Sequence, residues 1–167
     1  DVHTTVSLKA PSPLEWNGDQ TIVDVDCKGN ANGKVTLSVT GGVTPYSYAK
    51  TSLAVDADGW QTSNVFDNLL AGSYIMAAKD ANGCKIEKDL TVAEPAKSLS
   101  ATISGNATVC KDTTSPVKVV VSGGTAPYTV TVATQTIIGD ATQTEFVFDL
   151  TAGTYTADVV DANNCRF

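Results

Sequence analysis

Four cysteines carry most of the chemistry open to this chain of 167 residues. They are Cys27, Cys84, Cys110 and Cys165. Such a set forms disulfides, ligates zinc or supplies a nucleophile. Zinc is the rival to disulfides, but no Cys-x-x-Cys pair is present, and the single histidine, His3, lies near the N-terminus. A catalytic triad needs a well-placed base, and His3 is a poor one. Asp24 and Asp26 are spaced for one face of a strand, as solvated carboxylates often are. Asp56-Ala57-Asp58-Gly59 has the opening of a calcium loop but lacks its later ligands, so Asp56 and Asp58 are weak calcium candidates beside a plain turn. Trp16 and Trp60 are the only tryptophans, and an exposed ring of this kind can stack on a sugar or a protein partner. The plainer reading packs Trp16 near a domain joint and Trp60 over a sheet edge. No other cofactor is suggested.

These residues sit in a repeat. Gly41-Gly42-Val43-Thr44-Pro45-Tyr46 returns as Gly123-Gly124-Thr125-Ala126-Pro127-Tyr128. Leu70-Ala71-Gly72-Ser73-Tyr74 returns as Thr151-Ala152-Gly153-Thr154-Tyr155, and Asp80-Ala81-Asn82-Gly83-Cys84 as Asp161-Ala162-Asn163-Asn164-Cys165. A near-constant offset across several landmarks marks two copies of one unit.

Each landmark has a physical reading. Val35, Leu37 and Val39 alternate with polar residues, as do Val117, Val119 and Val121. Period two with one apolar face is a half-buried strand. The double glycine ends that strand, and the proline opens the next one. The Ala-Gly-x-Tyr element reads as a tyrosine corner, with the hydroxyls of Tyr74 and Tyr155 bonding upstream backbone. Asn-Gly at 82–83 favours a tight hairpin turn between strands at 74–79 and 85–92.

The repeat divides the chain into a closing strand of a preceding repeat, or linker, at 1–13, a first repeat at 14–95 and a second at 96–167 whose closing strand is truncated. Units of this size are small for one core, so staples are expected. Two cysteines fall at matched places in each repeat. Of the three possible connectivities, Cys27–Cys84 with Cys110–Cys165 keeps each bridge inside its own repeat. That pairing implies an oxidising compartment. The expected core takes Ile22, Val35, Leu37, Val39, Tyr46, Tyr48, Phe66, Leu69, Tyr74 and Met76 in the first repeat. The second repeat offers Val117, Val119, Val121, Tyr128, Val130, Phe146, Phe148, Leu150, Tyr155 and Val159. The fold class is all-β: two tandem immunoglobulin-like β-sandwiches with one disulfide each.

Formal net charge is −7. No basic patch is visible, which argues against nucleic acid as a partner. No apolar run approaches a membrane span, which argues against membrane insertion. The chain begins without a methionine or a leader and reads as a piece of a longer exported protein.

Together, Cys27, the Gly-Gly-x-x-Pro-Tyr turn, Leu70-Ala71-Gly72-Ser73-Tyr74 and Asp80-Ala81-Asn82-Gly83-Cys84 resemble the SprB repeat family. The second copy is looser, with Asp112 to Ser115 in place of Gly29 to Gly33. That family occurs in tandem in very large cell-surface proteins of Bacteroidetes, including gliding adhesins exported by the type IX system. The resemblance implies a structural and adhesive module at the extracellular cell surface, with no catalytic residues. Its partners would be neighbouring repeats of the same chain and a surface polysaccharide or another cell-surface protein. The competing reading is a carbohydrate-binding module of a secreted multidomain protein.

Overall fold

A computed structural model describes residues 6–7, 9–51, 59–105, 108, 110 and 113–167. Every element assigned among them is a strand, so the protein is all-β. The residues divide into two compact units: Asp1–Asp24 with Ala31–Ala93, and Val25–Asn30 with Glu94–Phe167. The six residues Val25–Asn30 therefore leave the first repeat and build part of unit 2.

Unit 1 contains β1 (Glu15–Trp16), β2 (Thr21–Val23), β3 (Gly33–Thr36), β4 (Val39–Thr40), β5 (Ser47–Thr51), β6 (Val65–Leu69), β7 (Gly72–Lys79) and β8 (Lys85–Val92). These form sheets in the orders β2-β3-β6, β5-β7-β8 and β1-β4, all antiparallel. The alternation at 34–40 predicts one strand, but the structure has two. The break falls at Leu37–Ser38, where the Gln20 side chain accepts from the Ser38 N–H and Asn64 Nδ2 donates to the Leu37 carbonyl at 2.6 Å. Side chains thus satisfy backbone groups that a continuous ladder would have paired.

Unit 2 contains β9 (Ser100–Gly105), β10 (Ser115–Ser122), β11 (Thr129–Val132), β12 (Gln135–Ile138), β13 (Glu145–Leu150) and β14 (Ala157–Val160). Its sheets run β13-β10-β9 and β12-β11-β14. The burial of β13 alternates strictly, with Phe146, Phe148 and Leu150 inside. These pack with Val119 and Val121 of β10, Val130 and Val132 of β11, and Val159 of β14, so the two sheets share one core. Each unit thus has three-stranded main sheets among the described residues, where a constant-type immunoglobulin sandwich has four strands and three. The last residues begin to pair with β14: Val159 and Phe167 exchange both backbone hydrogen bonds at 3.0 Å.

Two expectations are corrected here. Ile22 is 36% exposed, because β2 is a short edge strand whose three residues all face outward or aside. Leu14, Ala49, Ala77, Ala78, Leu90 and Val92 are buried in unit 1 as well, while Val39, Tyr46, Phe66 and Tyr74 are only half-buried. In unit 2, Val117 and Tyr155 are likewise half-buried.

The larger correction concerns the cysteines. The disulfide observed is Cys27–Cys165, with Cα atoms 5.7 Å apart, and Cys84 and Cys110 are exposed thiols outside any bridge. The expected Cys27–Cys84 and Cys110–Cys165 pairs are not formed. The physical reason is the path of residues 25–30: they belong to unit 2, and they carry Cys27 to the Cys165 loop.

Candidate functional site

The repeated Asp-Ala-Asn-x-Cys loop is the most organised polar feature in each unit. In unit 1, the buried Asp80 carboxylate accepts from the N–H groups of Val43 at 3.0 Å, Asn82 at 3.0 Å and Cys84 at 2.8 Å. In unit 2, buried Asp161 accepts from Thr125 at 2.8 Å, Asn163 at 2.9 Å and Cys165 at 2.9 Å. The carboxylate therefore ties the Gly-Gly turn to the cysteine loop. Desolvation pushes the Asp80 pKa up, but hydrogen bonds from Val43, Cys84 and Asn82 outweigh it and leave the carboxyl below its ordinary value.

The glycines are required at this junction. Gly42 and Gly124 sit at φ of 62° and 64°, and a Cβ at either would approach the Asp80 or Asp161 carboxylate to 2.9 or 2.7 Å. Only glycine meets both demands. The aromatic of the same motif closes the turn: Tyr46 donates its hydroxyl to the Gly41 carbonyl at 2.6 Å, and Tyr128 to Gly123 at 2.8 Å. Thr44–Pro45 and Ala126–Pro127 are cis peptides. Sequence reading missed the roles of Asp80, Asp161, Tyr46 and Tyr128. The available signal was the recurrence of an aspartate four residues before each second cysteine.

In unit 2 the loop is covered. Cys27 bonds Cys165, and Asn163 Nδ2 donates to the Asp26 carbonyl at 2.9 Å. Glu94 clamps the same segment, accepting from Lys28 Nζ at 2.7 Å and from the Gly29 N–H at 2.8 Å. These bonds hold the Glu94 carboxyl below its ordinary value, the Lys28 ammonium contributing most. A groove lined by Cys27, Lys28, Pro95, Lys97, Leu99 and Arg166 runs beside the bridge.

The other sequence candidates lie apart from this loop. Tyr74 donates its hydroxyl to the Leu70 carbonyl at 2.8 Å, and Tyr155 to Thr151 at 3.0 Å. Trp60 faces the ammonium of Lys79 at 4.3 Å and that of Lys85 at 5.9 Å from its ring centre. Trp16 donates Nε1 to the Glu87 carbonyl at 3.1 Å. Asp24 accepts from the Ala93 N–H at 2.8 Å, a structural bond of unit 1. Asp56 and Asp58 lie outside the described residues, as does His3. Among the described residues, no group of three or more His, Cys, Asp or Glu side chains comes together as a metal site. No helix among them is long and apolar enough to cross a membrane.

The geometry defines a class first: an all-β protein whose described polar contacts hold turns and a disulfide loop. The SprB repeat family model matches residues 20–51 of the chain, and that family is found in cell-surface proteins. The matched stretch holds Cys27, β2 to β5 and the Gly41–Tyr46 turn. No curated protein and no solved structure shows significant similarity to the chain.

Proposed function

We propose that the protein is a structural and adhesive repeat module of a large exported cell-surface adhesin, serving cell-surface adhesion and gliding. The observation that carries this reading is the SprB repeat at residues 20–51. Its partners are neighbouring repeats and a surface polysaccharide or surface protein, and its compartment is extracellular and oxidising.

The disulfide suits a chain that bears tension. Cys27 and Cys165 are 138 residues apart, so load applied at the two ends passes through the bridge and bypasses the span between them. Single-molecule pulling tests this. Oxidised chains extend only through residues outside the bridge. Reduction adds the 138-residue span, about 450–500 Å at full extension. Equal extension with and without reductant removes the mechanical reading.

The carbohydrate-binding alternative needs a free aromatic platform. The ring of Trp60 is occupied by two lysines, and Trp16 is tied to Glu87. A glycan array decides between the two: specific binding that disappears in Trp60→Ala or Trp16→Ala moves the assignment to carbohydrate recognition.

A further inference from the structure

The two Asp-Ala-Asn-x-Cys loops are built alike, but among the described residues only the unit 2 loop is covered. Each is held by an aspartate taking three backbone N–H bonds, against a glycine at positive φ. In unit 2 the Val25–Asn30 segment lies on the loop, and Cys165 is 8% exposed. In unit 1 the matching cysteine, Cys84, is exposed, and so is Asn82, the counterpart of the Asn163 that grips the Asp26 carbonyl. Beside them an open groove is lined by Lys9, Ala10, Pro11, Ser12, Val43 and Asn82.

One segment of the chain has the form of the missing cover. The Cys27 turn closes with the Asn30 N–H on the Cys27 carbonyl at 3.0 Å. The Cys110 turn closes in the same way, with the Thr113 N–H on the Cys110 carbonyl at 3.3 Å. Cys110 is exposed and unbridged. Its sequence carries Asp112 two residues on, opposite in charge to the Lys9 of the unit 1 groove.

We propose that the unit 1 groove is a docking site for the cysteine turn of a second copy of this module, closed by a disulfide from Cys110 of one copy to Cys84 of the next. The observed Cys27–Cys165 bond is the template: the first cysteine of one repeat reaches the second cysteine of the repeat after it. The contact joins unlike surfaces, so it does not close on itself and builds an open, covalently linked row. It does not rest on the adhesive reading and holds whatever the module adheres to.

The step consumes a small disulfide oxidant such as oxidised glutathione. The Cys110 thiolate attacks one sulfur of the oxidant and expels one thiolate. The Cys84 thiolate of the other copy then attacks the protein sulfur of that mixed disulfide and expels the second. Two protein thiols lose two electrons and two protons, and one small disulfide becomes two thiols.

Two variants of the 167-residue chain, Cys84→Ser and Cys110→Ser, test the site, since both positions are exposed and leave the Cys27–Cys165 bridge in place. Circular dichroism confirms that each folds. They are mixed in equal amounts in oxidised glutathione, and the linked products are mapped by mass spectrometry. Random pairing makes the heterodimer half of the product. Docking makes it dominant, joined Cys110 to Cys84, and makes the wild type run as a ladder. Three results overturn the proposal: heterodimer at or below the random share, no linked product, or a wild type in which Cys84 is bonded to Cys27 or to its own Cys110.

Discussion

Units 1 and 2 hold the same strand pair, with Val35 opposite Phe66 and Val117 opposite Phe148, but unit 1 shifts register between Gly33 and Val35 and the two units complete the pair differently. In unit 2, β10 runs unbroken against β9 and β13, and Phe146 fills the core beneath Val119. In unit 1, Asn64 stands where Phe146 does, and its amide bonds the Leu37 carbonyl instead of packing. Residues 17–20 of unit 1 also fill the space that residues 102–103 fill in unit 2, so β1 and β2 are separated where β9 is continuous. Phe148 is consequently 1% exposed while Phe66 is half-buried. The difference teaches that the shared landmarks fix the turn architecture, while core quality varies freely between copies. Unit 2 combines the fuller aromatic core with the disulfide.

The sharpest way to break this comparison is to remove the bridge. Cys27→Ser, or reduction, should destabilise unit 2 by about 4 kcal/mol by the chain-entropy argument, because the folded Ala31–Ala93 of unit 1 lies inside the 138-residue ring and shortens its flexible part. Unit 1 should melt as before. Loss of unit 1 signals in the same step, followed by hydrogen exchange, contradicts the assignment of residues 25–30 to unit 2.

Core truncation comes next. Phe148→Ala should cost about 3–5 kcal/mol, and Phe66→Ala clearly less, because burial sets the cavity left behind. Equal shifts in denaturant midpoint show that the two cores are equally packed and remove the contrast.

Acid should act on unit 1 through Asp80. Its folded pKa is depressed, so the stability it supplies is present above the unfolded carboxylate value and is lost as pH falls through the lower folded value. Urea midpoints measured from pH 7 downward should decline for the wild type more than for Asp80→Asn. Parallel curves remove Asp80 as the cause.

Smallest are the tyrosine hydroxyls. Tyr46→Phe and Tyr128→Phe should each cost about 0.5–1.5 kcal/mol, and Tyr74→Phe and Tyr155→Phe the lower part of that range, because their bonds are exposed. A larger loss at Tyr74 than at Tyr46 reverses the order argued from burial.

Much of the architecture was legible in the sequence. The strand at 85–92 falls where the Asn82-Gly83 turn puts it. The split of 34–40 was not, because it depends on the Gln20 and Asn64 side chains reaching the backbone from elsewhere in the chain. Nor was the exposure of Ile22, since an apolar residue on a strand does not reveal whether that strand lies at an edge.

By itself the sequence determined the all-β class, the repeat, and the glycine, proline and tyrosine positions of each turn, because these follow from φ preferences and side-chain period along a few neighbouring residues. Only the tertiary structure decided which cysteines meet. The repeat supplies two chemically equivalent first cysteines and two equivalent second ones, so local sequence cannot choose among the pairings. The choice was made by the course of six residues, Val25–Asn30, which pack with unit 2 and carry Cys27 to Cys165.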